Sequence, residues 1–117
     1  MNTRLLIETY HEAWTTGDFD RARACLADDL DFKGSIDTFQ NADALVAALK
    51  QFQGLLRKVT LLKSFFEPGS GALLYDCDTA SPAGVIRTAE FFTTKDGKII
   101  EIRLVFDASE LRKMMQP

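Results

Sequence analysis

The sequence predicts one α+β domain in which three helices pack inside a strongly curved, mainly antiparallel sheet. Three observations predict it. Apolar residues in the N-terminal half recur at helical spacing. From Lys58 onward, runs of β-branched and aromatic residues alternate with turn signals. The chain's 117 residues, 46% of them hydrophobic, suit a single core that folds without disulfide or metal support. Helices followed by a meander bury both sets of apolar faces if the sheet curls around the helices, and such a curl can leave a cavity inside.

Each element has its own local signal. In residues 3–15, Leu6, Tyr10, Ala13 and Trp14 fall at i, i+4, i+7 and i+8, on one face of a helix. Gly17 ends it and Asp18 caps a second helix, whose stripe of Phe19, Ala22 and Leu26 runs through Ala27. Residues 28–34 leave the helical period and lead into a short strand at 30–33. Asn41 caps a third helix carrying Leu45, Leu49, Phe52 and Leu56 at i, i+4, i+7 and i+11. Strands are then expected at 58–66, 72–79, 85–94 and 98–106, separated by turns rich in Gly, Pro, Ser and Asp. Asp107 can cap a short tail helix through Leu111.

Composition excludes several function classes. A net charge of −3, with Lys and Arg scattered along the chain, offers no basic stripe for nucleic acid. No apolar run approaches the roughly 20 residues of a bilayer span, and charges interrupt the N-terminal apolar stripe, so a cytoplasmic protein is expected. Cys25 and Cys77 sit in apolar-leaning segments and read as reduced, buried thiols. The only histidine, His11, is expected at a rim or on the solvated side of its helix, and no metal-ligand spacing surrounds it. Asp28, Asp29 and Asp31 lack the spacing and glycine of a calcium loop and read as solvated charge. Phosphate-cradling loops and a Gly-x-Ser-x-Gly elbow are absent, and no cofactor is expected.

Three stretches carry a family likeness: Tyr10-His11-Glu12-Ala13-Trp14-Thr15-Thr16-Gly17-Asp18-Phe19-Asp20, Leu26-Ala27-Asp28-Asp29-Leu30, and the closing hairpin from Ala89-Glu90-Phe91-Phe92 to Ile102-Arg103. Together with the element order they resemble the nuclear transport factor 2-like superfamily, with its SnoaL-like and ketosteroid isomerase-like domains and cystatin-like cone. The resemblance covers nearly the whole chain and implies a scaffold that hosts isomerases, cyclases, epoxide hydrolases, dehydratases and non-catalytic modules, so function must be argued from the pocket. Set against ketosteroid isomerase, Tyr10 takes the place of the oxyanion-binding tyrosine. Gly34 and Ala89 fall where that enzyme keeps its two acids, and without them steroid isomerisation by that mechanism is rejected.

The resemblance turns Ala89 and Phe91 toward the cavity, and the two-residue period of a strand then turns Arg87 and Thr93 inward. An even-numbered loop at Ser81-Pro82 sets Asp76 opposite Arg87. This makes Asp76 a candidate general base, Arg87 its electrostatic partner and Tyr10 a hydrogen-bond donor. A competing phase is also open: the alternation of Leu73, Tyr75 and Cys77 favours those three inward, which expels Asp76 and makes Glu90 the inward ionisable group. Trp14, Phe32, Ala89, Phe91, Ile102 and Leu104 are expected to line an apolar pocket for a flat or hydrophobic ligand. Tyr10 and Trp14 also read simply as core aromatics, and Cys77 as a nucleophile would need a base and a lowered pKa.

In the first phase Ile86, Phe92, Ile99 and Val105 form an apolar outer face, which predicts a homodimer through the convex side of the sheet. The function expected is a cofactor-independent hydrolase, isomerase, cyclase or dehydratase acting on a small hydrophobic molecule. The alternative is a ligand-binding or dimerisation module on the same fold.

Overall fold

The computed structural model describes residues 2–115. Its elements run α1 (Thr3–Thr16), α2 (Phe19–Ala24), β1 (Leu26–Lys33), β2 (Thr38–Phe39), α3 (Ala42–Gln53), β3 (Leu56–Glu67), β4 (Ser70–Thr79), β5 (Val85–Lys95), β6 (Lys98–Phe106) and α4 (Ser109–Met115). Side-chain caps start the first three helices: Asn2 accepts from Leu5 N at 2.8 Å, Asp18 from Arg21 N at 3.3 Å and Asn41 from Ala44 N at 2.8 Å. Each bond satisfies an amide that the helix itself leaves open. Gly17, at φ 86°, closes α1 in the left-handed conformation that glycine adopts without strain.

The six strands form one sheet in the order β2-β1-β6-β5-β4-β3. All neighbours are antiparallel except β1 and β6, which run parallel. α1 lies in the concave face and buries Leu6, Ile7, Tyr10, Ala13 and Trp14. Gly71 makes this approach possible, because a Cβ there would lie 2.7 Å from Ile7 Cδ1 and 2.9 Å from the Phe66 ring. The expected class and element order hold, with α4 as a fourth, short helix.

Local boundaries differ where the sheet competes with the helix. α2 stops at Ala24 instead of Ala27 because Cys25 O accepts from Ile99 N at 2.8 Å and Leu26 pairs with Ile99, drawing residues 26–29 into β1. α3 ends at Gln53, and Leu56, expected on its stripe, opens β3 opposite Thr79. The two-residue β2 has no period long enough to be seen in the sequence; it pairs Thr38 and Phe39 with Lys33 and Phe32.

Candidate functional site

The β4–β5 register is the one the loop length predicts: Asp76 lies opposite Arg87. Their carboxylate and guanidinium form two bonds, at 2.9 and 3.0 Å. The pair nonetheless lies on the outer face, with the Arg87 side chain 67% exposed, so neither residue faces the cavity. Burial of Leu73, Tyr75 and Cys77 sets the phase of β4, and pairing then turns Ile86, Thr88, Glu90 and Phe92 inward. A shift of one residue exchanges every side chain between the faces. Ala89 and Phe91 therefore leave the pocket, Phe91 being 50% exposed, and Thr93 turns outward toward Glu101. Ile86 and Phe92, expected outside, are buried. Ile99 is also buried, because a register shift between Thr93 and Thr94 leaves Ile100 unpaired and reverses the alternation of β6. Val105 alone of the four is exposed.

The concave side holds a cavity of about 150 Å³ between α1, α3, β4, β5 and the segment 34–37. Tyr10, Trp14, Phe32 and Leu104 are among the residues that line it, and Phe39 and Phe52 add further apolar wall. Ile102 is fully buried in the core without contributing to the wall. The polar part is small: Glu90, Tyr75, Tyr10 and Thr88 inside, with Ser35 and the exposed Asp37 on the segment after β1.

Glu90 dominates the chemistry. It is 2% exposed, and Tyr75 Oη donates to its Oε1 at 2.8 Å. Burial pushes its carboxyl up to about 7, while the Tyr75 bond favours the charged form and works the other way. Burial and then the Glu90 charge raise the phenols of Tyr10 and Tyr75 well above the ordinary tyrosine value, so both remain hydrogen-bond donors. Cys77 is pushed up to about 12 by burial, with Glu90 adding to it, and so is no thiolate nucleophile. Both cysteines are free and buried.

His11, expected at a rim or on the solvated side of its helix, is partly buried. Its ring packs edge-on against Tyr75 at 4.8 Å and Trp14 at 6.0 Å, and burial lowers it to about 4, which keeps it neutral. Three buried side-chain atoms, Tyr10 Oη, His11 Nδ1 and Trp14 Nε1, have no hydrogen-bond partner among the described residues.

Two of the three acidic residues singled out on β1, Asp28 and Asp31, serve arginines. Arg23 bridges Asp28 at 2.6 Å and Asp43 at 2.8 Å, and Arg103 reaches Asp31 at 3.1 Å. Among the described residues no group of three His, Cys, Asp or Glu is placed to hold a metal ion, and no helix is long and apolar enough to cross a membrane.

Of the two phases open in the sequence, the structure has the one that puts Asp76 and Arg87 outside and Glu90 inside. The signal for Glu90 is the alternation of β4, which opposes the placement of Phe91 that the family likeness implies.

Solved structures share this architecture. A protein from Kribbella flavida DSM 17836 superposes with a TM-score of 0.86 at 29% identity, over 94% of this chain and 90% of that one. An NTF2-like protein of unknown function from Cytophaga hutchinsonii gives 0.82 at 20% identity, over 99% and 96%. An LEH-like epoxide hydrolase from M. tuberculosis gives 0.74 at 20% identity, over 92% and 84%. No curated protein matches significantly. The sequence profile of the SnoaL-like domain matches residues 7–102, most of the chain. With the curved sheet wrapped around its helices, this places the chain in the SnoaL-like domain family of the nuclear transport factor 2-like superfamily.

Proposed function

We propose that the protein is a cofactor-independent enzyme that moves a proton on a small, mainly apolar substrate, with Glu90 as the group that takes and returns it. One observation carries this reading: the buried Glu90 carboxyl in the cavity wall is held near 7, where it can both accept and release a proton at neutral pH. Tyr75 fixes one carboxylate oxygen and leaves the other for substrate or a water. Tyr10 stands on the same wall as a donor for oxygen charge that develops as the proton leaves. Isomerisation, cyclisation, dehydration and water addition to an epoxide all need such a group, and the likeness to an epoxide hydrolase keeps hydrolysis among them.

The test is a panel of small epoxides, enones and hydroxyketones assayed with the wild type, Glu90→Gln and Asp76→Asn. Activity lost in the first variant and kept in the second supports the reading. Activity that survives Glu90→Gln ends it. A carrier is the second reading, favoured by the mostly apolar wall; its mark is a co-purified ligand in native mass spectrometry that Glu90→Gln still binds, with no turnover to lose.

The outer face supports a homodimer, with a different residue set from that expected. Phe65, Ala72 and Phe91 form one row across the strands, which ends at Arg103 on β6, and Leu74, Ala89 and Val105 the next, which begins at Lys63 on β3. Polar rows flank them, Thr60, Asp76 and Arg87 on one side and Glu67, Ser70, Thr93 and Glu101 on the other. A second copy related by a twofold axis running across the strands sets Arg87 of one against the glutamates of the other, around an apolar centre.

A further inference from the structure

Glu90 is held by a side chain that is itself held from another element. Among the described residues, Tyr75 is the one side chain that hydrogen-bonds its carboxylate. The two are not direct partners in the ladder, since Tyr75 lies opposite Thr88 and Glu90 opposite Leu73. The bond therefore depends on the lean of the Tyr75 ring, and a freely turning ring would give up rotamer entropy each time it made the bond. Two rings from α1 bear on that lean. His11 meets Tyr75 with centroids 4.8 Å apart and planes at 60°, and Trp14 meets it at 6.2 Å and 60°. His11 and Trp14, three residues apart on one helix, also meet each other at 6.0 Å and 89°. All three contacts are edge-on, an arrangement that the ring quadrupoles favour.

His11 serves here as a ring and not as an acid or base. Its Nδ1 is buried with no hydrogen-bond partner among the described residues, and burial lowers its pKa to about 4. The imidazole is therefore neutral where Glu90 titrates, near 7, and its charge has no part in that titration. The other ionisable groups around Glu90 are Tyr10 from α1, Cys77 beside Tyr75 on β4, and Asp37 in the cavity wall, while β6 sets the apolar Leu104 opposite it. Tyr10 and Cys77 are both pushed upward and stay neutral in the same range. We infer that His11 is a positioning residue: its ring, together with that of Trp14, clamps the Tyr75 ring so that the hydroxyl stays on Glu90 Oε1. As a contribution to turnover this rests on the function proposed for Glu90; as a contact it does not.

The test is a ¹³C titration of the Glu90 carboxyl in the full-length protein and its variants. Loss of the Tyr75 bond raises the midpoint, because that bond favours the charged form, whereas water let in by a loosened wall lowers it. The sign thus separates a lost clamp from general damage to the core. His11→Ala is expected to raise the midpoint by at least about half as much as Tyr75→Phe does, and to add nothing in a Tyr75→Phe background. His11→Phe, which keeps a ring at the site, is expected to titrate as the wild type does. If His11→Ala fails to fold, His11→Leu, which keeps the bulk without the ring, is read by the same signs. The inference is overturned if the midpoint stays or falls in the variant without a ring, if it rises equally in the Tyr75→Phe background, or if His11→Phe raises it as far as the ringless variant does. The titration needs no substrate, which keeps the two ideas apart: activity that survives Glu90→Gln ends the proposed function alone, and an unmoved Glu90 midpoint ends the positioning role alone.

Discussion

Tyr75 Oη reaches Glu90 Oε1 at 2.8 Å along a diagonal of the β4–β5 ladder: Tyr75 is paired with Thr88, and Glu90 with Leu73. Diagonal neighbours two residues out of register are within range of a long aromatic side chain. The bond stabilises the carboxylate in a site where burial opposes it. Tyr75→Phe should therefore raise the Glu90 pKa above about 7. If Glu90 is the base, the rising limb of the pH–rate profile moves to higher pH by the same amount, and a ¹³C titration of the Glu90 carboxyl reads the shift directly.

Stability should carry the mark of the same group. The folded pKa of Glu90 is raised from 4.5 to about 7, so the native state holds this proton more tightly than the unfolded chain. Its contribution is complete below about 4.5 and is lost as pH rises through about 7, a change of about 3 kcal/mol. His11 acts in the opposite sense, since its depressed value makes its contribution present above about 6.5 and lost as pH falls through about 4. The two slopes oppose each other between 4.5 and 6.5. The difference between wild type and Glu90→Gln isolates the glutamate: urea melts from pH 4 to 9 should show the variant gaining relative stability as pH rises through 7.

Within one protomer, breaking the Asp76–Arg87 pair on the outer face should matter little to the stability of the fold. Both groups are held in their charged forms by each other but remain in contact with solvent. Arg87→Ala is expected to lower Tm slightly, with the effect vanishing in high salt, and to leave turnover unchanged. A large loss of activity in this variant would return the pair to the candidate site.

Gly71→Ala should destabilise by about 1–3 kcal/mol, since the added methyl meets Ile7 Cδ1 and the Phe66 ring below contact distance. Ile7→Val in the same chain removes one of those contacts and should restore part of the loss in a denaturant melt.

Phe91→Asp places a charge in the centre of the apolar rows, where Phe65 and Val105 are also more than half exposed. Sedimentation should show a dimer for the wild type and a monomer for the variant, with the circular dichroism spectrum unchanged. A wild-type monomer at micromolar concentration ends the interface proposal.

Much of this fold is written in local signals. Asn2, Asp18 and Asn41 cap where their types say they should, Gly17 stops α1, and the Ser81-Pro82 loop sets Asp76 against Arg87. What local signals leave open is which side of a register-correct hairpin faces the helices. β4 alternates Leu73, Tyr75 and Cys77 with Leu74, Asp76 and Asp78, whereas β5 offers Ile86, Phe92, Ala89 and Phe91 to both faces. Only packing against α1 and α3 decides between them, and with it the choice of Glu90 over Arg87. Leu26 and Leu56 show the same limit, since each extends a helical stripe in sequence and is claimed by a strand in space.

Ser35 ties together two stretches that border the cavity. Its hydroxyl accepts from Phe106 N at 3.0 Å and its carbonyl from Arg112 at 2.8 Å, fastening the loop after β1 to the end of β6 and to α4, which adds Leu111 to the wall. This border of the cavity is thus stitched at one half-buried serine. On the proposed function, that stitch bears on how fast a guest enters and leaves, separately from how tightly the interior holds it.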